Sequence, residues 1–297
     1  MTIRWLFLSL VNVVFLFTSS LALADEPAKP AQPQPGATFR ERLQRFREAA
    51  GPNENLKRVT WTVGDVPREA LVYVPPKAEA NKDSHPPLVF TFHGHGGRAE
   101  YAARKFAVHE LWPEAVCVYP QGLPTPVPVI DVEGKQPGWQ KYIGDQNDRD
   151  LALFDAILAS MKSEHHIDER RVFSAGHSNG GYFTYVLWAA RGDKLAAVAP
   201  VAAGISRRDL DKYQPKPVLH VAGENDKIVS YLLQTRTMEE IRKLNGCDAA
   251  GKAAGNLCTE YTSAKGPAVI TMIHPGGHEI PADAPARIVE FFKSVGK

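Results

Sequence analysis

The stretch Arg171-Val-Phe-Ser-Ala175, Gly176-His177-Ser178-Asn179-Gly180, Gly181-Tyr-Phe-Thr-Tyr-Val-Leu-Trp-Ala-Ala190 changes its pattern twice within a short length of chain. Its first segment is rich in β-branched and aromatic residues, which suit a buried strand. Its last segment is an apolar run long enough for a helix. Between them lies G-x-S-x-G, and a serine at a tight strand-to-helix turn needs glycines because the backbone crowds itself there. Such a turn lifts the serine oxygen clear of the sheet edge and sets it at a helix N-terminus, where negative charge is favoured. Ser178 is therefore the expected nucleophile.

Outward from this stretch the chain alternates between strand and helix patterns. Val59 to Val63 and Ala70 to Val74 are expected as an opening hairpin. Leu88 to Phe92, Ala115 to Tyr119, Ala196 to Val201, Pro217 to Val221 and Ala268 to Ile273 are expected strands. Asp150 to Met161, Gly181 to Ala190, Leu232 to Leu244 and Ile288 to Val295 are expected helices. Strands alternating with helices predict an α/β domain with a mostly parallel central sheet covered by helices on both faces. We expect one such domain over residues 57–297, with no internal repeat.

A serine hydroxyl is a weak nucleophile at neutral pH and needs a base, itself oriented by an acid. With the serine on such a turn, the partners follow in the order acid, then histidine. Gly223-Glu224-Asn225-Asp226 follows an expected strand; Asp226 is the expected acid and Glu224 the alternative. Pro275-Gly276-Gly277-His278 follows the last expected strand and makes His278 the expected base, with His274 the alternative. A tetrahedral oxyanion needs preorganised donors. The backbone N–H of Asn179 and that of His95, in the loop His93-Gly94-His95-Gly96-Gly97, are the expected pair. His93 and His95 begin like an H-x-H-x-D-H metal motif, but Gly96, Gly97 and Arg98 stand where its Asp-His would follow, so no metal is expected.

With these residues placed, the chain resembles the secreted polyhydroxybutyrate depolymerase and feruloyl esterase family of α/β-hydrolases from about residue 69 onward. The likeness rests on His93 to Gly97, Tyr119-Pro120-Gln121-Gly122, Ile167-Asp168-Glu169-Arg170-Arg171-Val172, Gly176 to Gly181, Asp226 and Gly277-His278. It implies the α/β-hydrolase fold and cofactor-free hydrolysis of a small or polymeric carboxylic ester by Ser178, Asp226 and His278. The family commonly has Cys where this chain has His95, and Trp near the proline where it has His278-Glu279-Ile280-Pro281, so the pocket rim and substrate preference are expected to differ. Feruloyl or aryl, acetyl and hydroxyalkanoate esters all remain open. A polyhydroxyalkanoate depolymerase is the alternative, followed by a serine peptidase and a non-catalytic carbohydrate-binding homologue. Tyr101, Trp112, Trp139 and Tyr142 are candidates for stacking on an aromatic acid or sugar, with core or rim packing the competing expectation.

At the N-terminus, Arg4, the apolar run Trp5 to Phe17 and the small-residue end Ala22-Leu23-Ala24 read as a secretory signal peptide over residues 1–24. The run is short for a bilayer span, so no stable membrane insertion is expected after cleavage, and the mature protein is expected to be secreted or periplasmic. A Pro/Ala-rich linker follows over 25–38, then a basic helix over 39–56 carrying Arg40, Arg42, Arg45 and Arg47. Cys247 and Cys258, close in sequence in an exported chain, are expected to form a disulfide, and Cys117 to be a buried thiol. The formal net charge of +2 over 297 residues offers no electrostatic reason for a nucleic-acid partner.

Overall fold

A computed structural model describes residues 55–295. The expected signal peptide and linker, and the expected basic helix save Asn55 and Leu56, lie outside the described residues. Asn55 and Leu56 lead directly into the first strand.

The strands are β1 (Lys57–Val63), β2 (Val66–Tyr73), β3 (Leu88–Phe92), β4 (Val116–Pro120), the short pair β5 (Leu123–Pro124) and β6 (Pro137–Gly138), β7 (Val172–His177), β8 (Ala197–Val201), β9 (Val218–Gly223), β10 (Lys252–Ala253), β11 (Cys258–Tyr261) and β12 (Val269–His274). The main helices are α1 (Ala99–Phe106), α2 (Arg149–His165), α3 (Asn179–Arg191), α4 (Tyr231–Leu244) and α5 (Ala284–Val295). One ten-stranded sheet has the order β1-β2-β4-β3-β7-β8-β9-β12-β11-β10. From β4 to β12 the neighbours are parallel, and antiparallel hairpins close both edges. The central strands are buried on both faces, which explains their uninterrupted apolar runs. The structure has the α/β-hydrolase fold class expected from the sequence.

Side chains alternate between two cores. Leu88, Phe90 and Phe92 pack with Phe154, Ile157 and Phe183 under α2 and α3. Val89, Phe173 and Val221 pack with Phe106, Ile288 and Phe292 under α1 and α5. The chain runs from β3 outward to β4, then returns to β7 on the other side of β3, so the strand order reverses between β3 and β7. At such a reversal the loops leaving neighbouring strands diverge and open a crevice at their carboxyl ends.

The segment between β4 and α2 lies over that edge and is anchored by buried ions. Arg68 donates to Asp150 Oδ1 at 2.8 Å, and both side chains are essentially inaccessible. Asp150 Oδ2 accepts the Gln140 N–H at 2.8 Å, while Gln140 Oε1 accepts the N–H groups of Asp150 and Leu151. Burial lowers the pKa of the Arg68 guanidinium, against the raising effect of Asp150.

The expected disulfide is absent: Cys117, Cys247 and Cys258 are free thiols. Cys258 is buried in the core beneath α5, whereas Cys247 packs at the border of the opposite core and its Sγ faces the Pro267 carbonyl at 3.8 Å. Proximity in sequence does not bring together two side chains that pack in the cores on opposite sides of the sheet. Thiol titration of the denatured protein without reductant is expected to count three free cysteines, and a reductant to leave the melting temperature unchanged. Asp150→Ala strands the Arg68 charge in the interior and is expected to cost about 3–5 kcal/mol, read by denaturant unfolding.

Candidate active site

Four loops leave the carboxyl ends of β3, β7, β9 and β12, and each carries one part of the site. At the end of β7, Ser178 has φ 55 and ψ −121, a conformation that is strained for any residue with a side chain. Ser178 N–H donates to Val201 O at 2.9 Å, and its own carbonyl accepts the Tyr182 N–H at 2.9 Å. A methyl group on Gly176 would collide with the Gly180 carbonyl, and one on Gly180 with the carbonyls of Phe92 and His93. Glycine at both positions therefore lets the turn close on itself and against the end of β3.

The loop after β9 carries Asp226, whose Oδ1 accepts the N–H groups of Ile228 and Val229, each at 2.9 Å. Its Oδ2 lies 2.8 Å from His278 Nδ1, and His278 Nε2 lies 2.7 Å from Ser178 Oγ. The carboxylate is fully buried, and the imidazole is 12% exposed. Acid and base loops are tied together by backbone: Glu224 N–H donates to His274 O at 2.9 Å and Asn225 N–H to Gly276 O at 3.0 Å. The Asn225 side chain donates to Pro275 O at 2.7 Å. Glu224, the alternative acid, is exposed. His274, the alternative base, is buried, with Nδ1 accepting the Gly276 N–H at 3.2 Å.

The loop after β3 lies against the serine. A methyl group on Gly94 would stand 3.4 Å from Ser178 Cβ, so the backbone entering His95 runs beside Ser178. Gly96 N–H donates to Pro137 O at 2.7 Å and Gly97 N–H to Gly94 O at 2.9 Å, fixing the loop's course. Asn179 opens α3, where the first N–H groups of a helix have no intrahelical acceptor. The structure thus brings together all five expected residues: Ser178, Asp226, His278, His95 and Asn179.

The Asn179 side chain has a second task that its place in the motif does not reveal. Its Oδ1 accepts the Trp139 N–H at 2.7 Å and its Nδ2 donates to Trp139 O at 3.0 Å. It therefore clamps the end of β6 over the site like a neighbouring strand. Trp139 is completely buried, with its indole N–H on His93 O, and Trp112 is buried too, so both are core residues rather than stacking platforms. Tyr142 is half-buried and is covered by the Arg208 guanidinium at 4.2 Å. Tyr101 is half-buried, near Arg104.

His93 is bonded through both nitrogens: Nδ1 donates to Gly94 O, and Nε2 accepts the Gly122 N–H at 3.0 Å. Burial pushes it down to about 4, so it is neutral and structural near neutral pH. His95 Nε2 meets Asp131 Oδ2 at 3.1 Å, and Asp131 also accepts the N–H groups of Lys135 and Gln136. This ties the loop after β3 to a tip that exposes Val129, Ile130 and Val132. His177 packs beside His278 with ring centroids 4.9 Å apart, and burial pushes it down to about 3, so it adds no positive charge next to His278.

No family model matches the chain. It is 28% identical over 221 residues to an Aspergillus flavus protein named "Probable feruloyl esterase C", a match that covers 71% of this chain and 76% of that one. It is 30% identical over 167 residues to a bifunctional acetylxylan esterase/xylanase of Neocallimastix patriciarum, covering 55% of this chain and 22% of that longer protein. The solved acetyl xylan esterase of Aspergillus awamori shares the fold with a TM-score of 0.57 at 17% identity, covering 80% of this chain and 98% of that one. The chain is a carboxylic ester hydrolase of the α/β-hydrolase fold, similar to feruloyl esterases. No helix among the described residues of this hydrolase is long and apolar enough to cross a membrane.

Asn179→Ala keeps the backbone N–H at position 179 but unpairs the backbone N–H and C=O of Trp139. It is expected to cost about 2 kcal/mol of stability and to lower turnover by roughly tenfold, measured by thermal melting and by kcat on an activated ester.

Proposed function

We propose that the chain is an exported serine carboxylic ester hydrolase that acts through an acyl-enzyme on Ser178, with hydroxycinnamoyl or acetyl esters as its substrates. The observation that carries this reading is the continuous hydrogen-bonded line from Asp226 through His278 to Ser178 Oγ, set where the Gly94–His95 backbone passes the serine. The relatives named as feruloyl and acetylxylan esterases support the ester class, and the apolar tip tethered to His95 suits an aryl acyl group at the rim. Export rests on the Arg4, Trp5–Phe17 and Ala22–Ala24 pattern.

In the first half-reaction His278 Nε2 takes the Ser178 proton as Oγ bonds to the ester carbonyl carbon. The carbonyl electrons move onto oxygen, and the N–H groups of Asn179 and His95 receive that charge at the positive end of α3. When the tetrahedral intermediate collapses, the carbon–oxygen bond to the alcohol breaks, and His278 returns its proton to the leaving oxygen. Water then repeats the sequence on the acyl-serine, with His278 as base, and releases the acid. Asp226 holds the imidazole tautomer and stabilises its cation.

The test is hydrolysis of p-nitrophenyl acetate, p-nitrophenyl butyrate, methyl ferulate, acetylated xylan and a hydroxybutyrate oligomer by the wild type and by Ser178→Ala. Activity is expected on the ferulate or acetyl substrates, and Ser178→Ala is expected to lower kcat by about 10⁴-fold or more with the fold retained. A folded Ser178→Ala protein with near wild-type turnover overturns the assignment. Preference for the oligomer would move the substrate to polyhydroxyalkanoates.

A further inference from the structure

Behind Asp226 a line of polar side chains runs into the core between α3, β9 and α4. Tyr185, His220 and Gln234 are each completely buried. Tyr185 Oη lies 2.6 Å from His220 Nδ1, and His220 Nε2 lies 3.4 Å from Gln234 Oε1. Gln234 Nε2 donates to Asp226 Oδ2 at 3.0 Å and to Val229 O at 2.8 Å. Asp226 Oδ2 is the same oxygen that faces His278 Nδ1.

The donors in this line have one consistent direction. The Gln234 amide nitrogen must face Asp226, because its oxygen there would oppose a carboxylate. Its oxygen then faces His220, which must carry its proton on Nε2, and the bare Nδ1 accepts the Tyr185 hydroxyl. Burial pushes His220 down to about 4, so this neutral tautomer persists across the working range of a serine esterase. Burying a phenol, an imidazole and an amide in a core costs solvation that an apolar trio of the same volume would not incur. Packing alone therefore gives no reason for polar groups at these positions, whereas orienting Asp226 does.

We propose that Gln234 is a positioning residue for the Ser178 site: it aims Asp226 Oδ2 at His278 Nδ1, and it is held in its own orientation by His220 and Tyr185. The inference rests on the serine-esterase reading of that site. With two backbone N–H groups on Oδ1, the Gln234 amide leaves the carboxylate one direction in which to accept the hydrogen bond from His278 Nδ1–H. Besides His278 on the loop after β12, the titratable groups facing Asp226 are His177 at the end of β7 and Tyr182 on α3. His177 is neutral, and burial raises Tyr182 to about 12, so neither changes charge between about pH 5 and 9.

The experiment compares kcat and KM for p-nitrophenyl acetate and methyl ferulate across pH in the wild type, Ser178→Ala, Gln234→Leu, Gln234→Glu and Tyr185→Phe. Gln234→Leu is expected to lower kcat by about tenfold or more while KM changes less than about twofold. Without the amide, negative charge concentrates toward His278 and favours its cation, so the acidic limb of the profile moves to higher pH. Gln234→Glu is nearly isosteric and separates orientation from folding. As a neutral acid it still donates to Asp226, and as a carboxylate it repels it. Its activity relative to wild type is expected to fall as pH rises, a signature that a space-filling role does not produce. Tyr185→Phe, at the far end of the line, should shift the same limb in the same direction by less. Wild-type kcat and pH profile in Gln234→Glu, or in a folded Gln234→Leu, overturn the inference while leaving the serine assignment intact. Turnover that survives Ser178→Ala overturns that assignment and this inference with it.

Discussion

The turn at Ser178 places a residue with a side chain where φ is 55 and ψ is −121, a conformation that costs about 1–3 kcal/mol and persists only where its surroundings enforce it. Its surroundings are the ends of two parallel strands and the start of a helix, pressed so closely that Gly176 and Gly180 can carry no side chain. This close contact fixes the distance from Ser178 to the loop after β3, and hence to His95. It also sets Ser178 at the N-terminus of α3, where negative charge is favoured. The turn works because β7 sits mid-sheet between β3 and β8, where neighbouring strands prevent it from relaxing.

The rest of the site is held by polar groups that have been taken out of water and must be satisfied. Asp226 is fixed from one side by backbone N–H groups and from the other by Gln234 and His278. The segment above the sheet is held by Asn179 on Trp139, by Gln140 on Asp150, and by Arg68 beneath them. Such bonds add modestly to net stability, but each is costly to break, because the partner left behind cannot find water. The geometry is therefore all-or-none, as a site that must hold three groups within hydrogen-bond reach requires.

Much of this was legible in the chain because its physics is local. Leu88 to Phe92 is a strand because parallel strands are covered on both faces and read as unbroken apolar runs. Asp226 and His278 both follow strands and their side chains meet, whereas Glu224 is exposed and His274 is buried. Helix α1 was not expected, although Ala99, Ala102, Ala103 and Phe106 have helical spacing, because alanines make a weak stripe. Strand β11 was missed because it is only four residues long and mostly half-buried, which leaves little apolar pattern to read. Gln234 had a local signal too, a polar residue on the face of α4 that buries Thr237, Met238 and Ile241.

By itself the sequence determined which residues turn and bury: the strand-turn-helix at Ser178 and the layered α/β class. These follow from the period of hydrophobicity and the conformational range of glycine, which act within a few residues. Tertiary structure decided what depends on contacts between distant segments. It set Cys247 and Cys258 in the cores on opposite sides of the sheet, turned Trp139 and Trp112 from candidate platforms into core, and gave Asn179 and Gln234 their partners. The physical reason is that burial and hydrogen-bond satisfaction are properties of a place in the fold, and residues remote in the chain build that place.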